Sequence, residues 1–263
     1  MLSLFFYLPT YAQERLRITT GEWPPYVSEK LEGQGLMVQL AREAFAVSGI
    51  QMDLSFFPWS RAENLSRMGD RDGTIAYSHT AERQKYYNYS DAIYRGTYAL
   101  FHLKDTTLNW KQLSDLKNIR IAATRGFGGM GNAFLEAEKK WELDVLRLTS
   151  SEQCFSMLLN KRVQAVPIDL EAGYALLRAY FGEKAILFTH SSHYLNQPTY
   201  HLVISKKNKR GPEIIRKFNE GLAHLHKSGR YTEIVKFWYR QPIYKNALPA
   251  SYLQQRLQQP IID

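Results

Sequence analysis

The chain is poor in cysteine, which excludes two kinds of site. Of its 263 residues only Cys154 is a cysteine, so no internal disulfide can form. A single thiol supplies no metal cluster, and the apolar helical pattern around Cys154 favours a core position. The seven histidines are scattered and show no spacing typical of a metal site. We therefore expect neither a metal ion nor another cofactor.

The sequence also lacks long apolar runs and basic blocks. No run of about 18 or more apolar residues occurs, so we expect no membrane-spanning helix. The formal net charge is +9, but Lys and Arg are spread along the chain, which argues against nucleic-acid binding. Solubility, an anionic ligand and a negatively charged membrane surface are all compatible with this charge.

The first residues have the character of an export signal. Residues 1–12, MLSLFFYLPTYA, resemble the apolar part and cleavage site of a secretory signal, with Thr10 and Ala12 where small side chains are needed. The basic start of such a signal is missing, and a short strand or tail is the alternative. We expect residues 1–14 to be a residual signal segment of a periplasmic protein without a lipid-attachment cysteine.

Short strand-like runs alternate along the chain with segments of helical spacing, which is typical of an α/β protein. Strand patterns cover residues 16–20, 51–57 and 73–77, and a helical pattern over 36–48 ends at Gly49. Strands that alternate with helices predict a lobe with a mainly parallel sheet. The chain length suits two such lobes.

The segment from Asp72 to Tyr94 organises the predicted site. After a strand pattern, the hydroxyls of Ser78 and Thr80 and the acid Glu82 indicate a capped helix start. Arg83 lies in the first turn, where a guanidinium can bind a carboxylate through two parallel hydrogen bonds. A solvated helix arginine or a surface ion pair is the alternative for Arg83.

A glycine-rich loop over residues 123–131 follows another strand pattern and precedes a helical one. Gly126, Gly128 and Gly129 allow bare backbone N–H groups to approach an anion at a helix N-terminus, and Arg125 adds positive charge. No acid follows at the end of the next strand in the context that a dinucleotide site requires. We therefore reject a nucleotide fold.

Asp169 stands between a strand pattern over residues 163–168 and a helical pattern over 170–181. A carboxylate that ends a buried strand is costly unless it is paired, which favours a position in a cleft. The alternative is that Asp169 caps the N-terminus of the following helix.

These segments resemble the bacterial solute-binding proteins of family 3, which bind polar amino acids and have the type II periplasmic binding fold. The family pattern T-x-x-R ends here at Arg83, and F-S-x-P-Y matches residues 89–94 without its proline. Residues 161–169 resemble the family's G-K/R-V/I-D-A-x-x-x-D, and residues 214–238 resemble its C-terminal helices. The resemblance covers residues 16–240.

The resemblance implies roles for the cleft residues. Arg83 would hold the ligand's α-carboxylate, and Asp169 would hold its α-ammonium group. Trp59 would pack on the ligand's side chain, with Arg61 as an added cation; core packing for Trp59 and a surface position for Arg61 are the alternatives. The predicted ligand-binding set is Glu22, Trp23, Tyr26, Trp59, Arg61, Tyr77, Ser78, Arg83, Arg125, Phe127, Gly128, Gly129 and Asp169.

Two loops of this set need comment. Residues 21–26 form a rigid Gly/Pro turn at a strand's carboxyl end, where open α/β sheets bind ligands, and Glu22 either faces an ammonium group or is a plain turn carboxylate. In the family the glycine loop reads G-S/T-S/T. Phe127 and Gly128 replace those hydroxyls here, so backbone donors remain but a standard α-amino-acid ligand is in question.

The resemblance implies an α/β fold of two lobes, with mixed, mainly parallel sheets, helices on both faces and a two-strand hinge. Lobe 1 is expected to comprise residues 15–95 with 199–245, and lobe 2 residues 96–198. Residues 246–263 would be a C-terminal tail that wraps the surface or is loose.

The function that this implies is binding rather than catalysis. The protein would clamp a small polar or anionic, amino-acid-like ligand between its lobes and deliver it, as a monomer, to an ABC-type membrane permease. Arginines 61, 83 and 125 and the net charge favour an acidic or anionic solute. The alternatives are a periplasmic dehydratase of the same fold, acting on prephenate or arogenate, and an orphan sensor module.

Overall fold

A computed structural model describes residues 14–126 and 128–258. Residues 1–13 of the predicted signal segment and Phe127 lie outside the described residues, whereas Glu14 begins a strand. In chain order the elements are β1 (Glu14–Thr20), α1 (Leu36–Val47), β2 (Ile50–Phe56), α2 (Trp59–Met68), β3 (Gly73–Ser78), α3 (Ala81–Gln84), β4 (Tyr87–Arg95), β5 (Tyr98–Leu103), β6 (Arg120–Thr124), α4 (Asn132–Lys139), β7 (Asp144–Leu148), α5 (Ser151–Leu159), β8 (Val166–Asp169), α6 (Leu170–Phe181), β9 (Phe188–Asn196), β10 (Thr199–Ser205), α7 (Gly211–Lys227), α8 (Arg230–Arg240), α9 (Pro242–Lys245) and α10 (Ala250–Gln258).

Lobe 1 is built on a five-stranded sheet in the order β2-β1-β3-β10-β4. β1 pairs in parallel with β2 and β3, whereas β10 runs antiparallel to β3 and β4. Helices α1 and α7 pack together over this sheet, with the rings of Phe45 and Phe218 4.9 Å apart. Gly221 of α7 lies against the backbone of Ala44 in α1, and a side chain there would collide with it. Glycine therefore allows the close approach of the two helices.

Lobe 2 contains an antiparallel sheet, β8-β5-β9, and a parallel pair, β6-β7. A parallel bridge from Ile121 to Ala165 joins the two parts. Cys154 is fully buried in the core, as its apolar surroundings predict. The α/β fold of two lobes that the sequence predicts is therefore confirmed.

The chain crosses between the lobes twice, and the crossings lie side by side. The first connects β4 to β5 through Gly96 and Thr97, and the second connects β9 to β10 through Gln197 and Pro198. The backbone N–H of Gly96 donates to the carbonyl of Pro198 at 2.9 Å. This pair of crossings is the two-strand hinge.

Local signals account for several element boundaries. The Thr80 hydroxyl accepts from the Arg83 N–H at 3.2 Å and so caps α3, as the sequence predicts. Gly49 has φ +69° and follows the end of α1, where a left-handed residue commonly terminates a helix. Among the described helices, none combines the length and apolar character needed to cross a bilayer.

The structure gives the C-terminal residues a definite form, where the sequence left a surface-wrapping and a loose tail open. Rather than forming a loose tail, residues 250–258 form helix α10, with Tyr252 only 7% exposed. Its side chains enter a buried polar cluster that no local pattern announces, which explains why the sequence alone suggested a loose or surface-wrapping segment.

Candidate functional site

Aromatic side chains meet where the two lobes face each other. The Trp23 ring lies 4.7 Å from the ring of Tyr26 and 4.9 Å from that of Tyr200. Tyr26 and Tyr200 are buried, and Trp23 is partly exposed. A side chain at Gly96 would come within 2.5 Å of the Asp169 carboxylate and 2.8 Å of the Tyr200 ring. Glycine at the first crossing therefore allows this segment to pack closely against Asp169 and Tyr200.

Both oxygens of the Asp169 carboxylate accept hydrogen bonds from protein groups. Its Oδ1 atom accepts from the Tyr26 hydroxyl at 2.6 Å and from the N–H groups of Glu171 and Ala172 at 3.1 and 3.2 Å. Its Oδ2 atom accepts from the Thr97 N–H at 3.1 Å, and the residue is 0% exposed. The carboxylate thus caps α6 in lobe 2 and bonds to Tyr26 from lobe 1.

The setting of Asp169 changes its ionisation. Burial raises its pKa to about 7, and the nearby Glu171 carboxylate adds to the increase. The hydrogen bonds from Tyr26 and the backbone act in the opposite direction. Burial and the Asp169 charge also raise the pKa of Tyr26, which stays a neutral donor.

A second group of side chains lies on lobe 1, and we call it the Arg83 cluster: Trp59, Glu63, Tyr77 and Arg83. Arg83 donates from Nε to Glu63 Oε1 at 3.4 Å and from Nη2 to Glu63 Oε2 at 3.3 Å. Its guanidinium lies 4.5 Å from the centre of the Tyr77 ring. The side chains of Arg83 and Glu63 are 27% and 34% exposed, so both charges remain accessible.

Three elements position the Arg83 cluster. Tyr77 is the penultimate residue of β3, and its hydroxyl donates to the Trp59 carbonyl at 3.4 Å. The two rings are 5.6 Å apart. Trp59 in turn covers Gly21, where a side chain would come within 2.5 Å of the indole, and donates to the Glu22 carbonyl at 3.2 Å. The cluster is therefore tied to the loop that carries Trp23.

Other predicted residues have further partners outside these two groups. Arg61 is exposed, with its guanidinium 5.1 Å from the centre of the Phe57 ring. The exposed Glu22 carboxylate accepts from the Glu29 N–H at 2.7 Å. Ser78 is partly buried, and its carbonyl accepts from Tyr89 at 3.4 Å.

The glycine loop contacts the hinge region through Gly129 and Gly131, and a side chain at Gly131 would come within 3.2 Å of Asn196. Gly129 lies so close to the Tyr98 ring that no side chain fits, and its carbonyl accepts from Asn196 at 3.0 Å. Gly128 and Arg125 are exposed, and Arg125 donates to the Arg147 carbonyl at 3.3 Å. Within residues 14–126 and 128–258, arginines 61, 83 and 125 thus have different partners rather than forming one anion site.

Sequence reasoning missed several residues. Glu63 lies four positions after Trp59 in a predicted helix, so the two share a face and could have been considered together. Tyr98 and Tyr200 flank the two hinge crossings. Nothing local identifies them as cleft residues.

A buried polar cluster behind the hinge was also missed, and we call it the Glu171 cluster: Tyr94, Glu171, Tyr239, Tyr252 and Arg256. Glu171 Oε1 accepts from Tyr94, Tyr239 and Tyr252 at 2.6, 2.9 and 3.0 Å. Arg256 Nε lies 3.4 Å from the same oxygen. The cluster joins α6 of lobe 2 to β4, α8 and α10.

No group of three His, Cys, Asp or Glu side chains in the described part of the chain could hold a metal ion. The accessible charges of the Arg83 cluster lie beside aromatic rings, an arrangement suited to binding a small charged molecule.

Comparison with known proteins gives a family match and a common fold. The sequence profile of the bacterial extracellular solute-binding proteins, family 3, matches residues 16–241. These are binding proteins rather than enzymes. No curated protein matches the chain.

Three solved structures share the fold. A histidine kinase sensor domain with similarity to periplasmic binding proteins has a TM-score of 0.72 at 20% identity, covering 87% of this chain and 97% of its own. An ancestral arginine-binding protein bound to arginine has a TM-score of 0.68 at 22% identity, with coverage of 87% and 100%. The GluR0 ligand-binding core from Nostoc punctiforme in complex with L-glutamate has a TM-score of 0.67 at 20% identity, with coverage of 86% and 100%.

Proposed function

This chain belongs to the bacterial extracellular solute-binding proteins of family 3, and we propose that it clamps a small polar or anionic, amino-acid-like solute between its two lobes. It delivers that solute to an ABC-type permease. The protein acts as a monomer outside the cytoplasm, in the periplasm.

The observation that carries this proposal is the Arg83 cluster. The Arg83 guanidinium pairs with Glu63 and lies against Tyr77, near the carboxyl end of β3, yet it remains partly exposed. Ligands of open α/β sheets bind at such carboxyl ends. An arginine fixed by an aromatic ring is well suited to bind a ligand carboxylate, because its planar group is already oriented.

The two-strand hinge supports the second half of the proposal. Lobes joined by two adjacent crossings can rotate towards each other around a bound solute, and the closed form then differs in shape from the open one. A membrane partner can recognise that difference.

A sensor is the second candidate function. The sensor domain of a histidine kinase covers 87% of this chain with a TM-score of 0.72. In a sensor, ligand-induced closure would be transmitted to a signalling partner instead of a permease.

A thermal-shift screen tests the binding proposal. The purified protein is heated with amino acids, dicarboxylates, small peptides or prephenate-like acids. A ligand that binds only the native state raises the midpoint of thermal unfolding. At a concentration of a hundred times Kd it adds about 2.7 kcal/mol to the free energy of unfolding. We expect a shift with one ligand class, and Arg83→Ala should abolish it.

Arg67→Ala is the matched control, because Arg67 is an exposed arginine of α2 that packs on Tyr86. It should retain the shift. A shift that survives Arg83→Ala would contradict the role of Arg83, and no shift with any class would contradict solute binding. Turnover of prephenate would favour the dehydratase. Ligand uptake that is unchanged in cells lacking the protein would favour the sensor.

A further inference from the structure

We infer that Glu63 is a specificity-determining residue of the site, and that it selects ligands that carry a cationic group beside their carboxylate. The inference rests on the proposed function and deepens it. It starts from an ion pair that occupies the arginine expected to hold the ligand.

The carboxylate of Glu63 uses one edge of the Arg83 guanidinium. Its two oxygens face Nε and Nη2 at 3.4 and 3.3 Å, the parallel arrangement that a ligand carboxylate would also adopt. The two charges cancel locally, so the cluster is not a bare cationic site. A simple anion must displace Glu63 or bind beside it against its repulsion.

Arg83 can still accept a carboxylate without losing Glu63. A guanidinium has five N–H donors, and the ion pair uses Nε and Nη2. Among the described residues no group accepts a hydrogen bond from Nη1, so this side can take a second carboxylate, provided that a positive charge offsets the repulsion between the two acids. An ammonium group on the ligand, placed against Glu63, supplies that charge.

The acid predicted to hold this ammonium group is already engaged. Asp169 is 0% exposed and accepts four hydrogen bonds, from the Tyr26 hydroxyl and three backbone N–H groups. Releasing it for a ligand would break the cap of α6 and leave buried donors unpaired. Glu63, by contrast, is 34% exposed and lies next to Arg83.

The protein also holds Glu63 in place from behind. The Tyr87 hydroxyl donates to the Glu63 carbonyl at 2.9 Å and is bonded to the Ser66 hydroxyl at 2.8 Å. This fixes the turn of α2 that carries the acid. Trp59, one turn earlier on the same face, and the Tyr77 ring provide the apolar surface beside it.

Matched pairs of ligands test the inference. Calorimetry measures the affinity of each L-amino acid that shifts the wild-type midpoint and of the same acid without its amino group. Wild type should prefer the amino acid. Glu63→Gln should weaken amino-acid binding about tenfold, since it removes one charge-assisted contact, and should strengthen binding of the des-amino acid.

Two further variants sharpen the result. Glu63→Asp keeps the charge but shortens its reach, so it should weaken the amino acid without a gain for the des-amino acid. Glu82→Gln is the matched control, because Glu82 is an exposed neighbour of Arg83 in sequence that pairs with Lys85 at 2.6 Å. It should change neither affinity by more than about twofold.

The outcomes separate the inference from the proposed function. If Glu63→Gln binds both ligands more tightly, Glu63 only competes for Arg83 and the selection of a cationic group is wrong. Affinities that Glu63→Gln leaves unchanged would also overturn the inference. So would a tenfold loss of amino-acid affinity in Glu22→Gln together with no loss in Glu63→Gln. If wild type binds no probe at all, the proposed function is wrong, and the inference, which depends on it, is wrong as well.

Discussion

Among single residues, Asp169 has the most unusual environment. It is fully buried, close to a second acid, and bonded to both lobes. Its role as the helix cap was one of two alternatives open from the sequence. That a ligand ammonium group reaches Asp169 stays a prediction. The hydrogen bonds that its carboxylate already accepts favour a structural role for this residue.

The raised pKa of Asp169 predicts a pH effect on stability. Burial raises this pKa from the ordinary 3.8 to about 7, so the folded state binds a proton more tightly than the unfolded state. The resulting stabilisation is full below about pH 4 and is lost as the pH rises through about 7. Asp169→Asn cannot ionise, so its stability relative to wild type should increase over that range by a few kcal/mol.

Urea unfolding at a series of pH values measures this difference. Asp105→Asn is the control, because Asp105 is exposed and its bond with Lys161 lowers its pKa below the range tested. Parallel curves for wild type and Asp169→Asn between about pH 4 and 8 would show that Asp169 ionises at an ordinary pKa.

At the scale of elements, helix α10 connects the two lobes beside the hinge through Arg256. Arg256 donates from Nη2 to the Tyr94 hydroxyl at 2.8 Å and to the Arg95 carbonyl at 2.6 Å, at the end of β4. The same side chain pairs with Glu171 of α6. One helix thus joins the last strand before the first crossing to a helix of the opposite lobe.

Removing the contacts of Arg256 should lower the free energy of unfolding. Arg256→Met leaves Glu171, which is 0% exposed, without its cation, and breaking a buried pair from one side costs about 3–5 kcal/mol. Chemical denaturation of the variant measures the loss. Arg216→Met removes an exposed helical pair with Glu220 and should cost less than about 1 kcal/mol. Equal losses in the two variants would contradict a special role for α10.

At the scale of the whole molecule, the hinge should permit closure. The lobes are joined by two adjacent crossings, so a bound solute that contacts both lobes should favour a more compact form. Small-angle X-ray scattering with saturating ligand from the screen should show a smaller radius of gyration. Arg83→Ala at the same ligand concentration should show no decrease, and a wild-type radius that stays constant would contradict closure on binding.

The lobe boundaries expected from the sequence, residues 15–95 with 199–245 and residues 96–198, remain a proposal. Their physical rationale is the pair of crossings, since Gly96 and Pro198 are hydrogen-bonded neighbours. The Glu171 cluster qualifies the picture, because α10 lies against the hinge as well as against lobe 1. Closure must therefore occur with this cluster intact or by rearranging it.

The sequence by itself determined most elements before the C-terminal segment, because their signals are local. Alternation in β1 and β2, the apolar face of α1 and the Thr80 cap each involve residues within one or two turns of one another. Such patterns also placed Arg83 in a helix turn after a strand, and Asp169 between a strand and a helix.

Only the tertiary structure decided the partners of those residues. Glu63 and Arg83 are 20 positions apart, and Tyr26 and Asp169 are 143 apart. Arg256 and Tyr94, separated by 162 positions, show no periodicity that links them. The free energy of a buried charge depends on which groups surround it in space, and packing of distant segments, not local pattern, sets that environment.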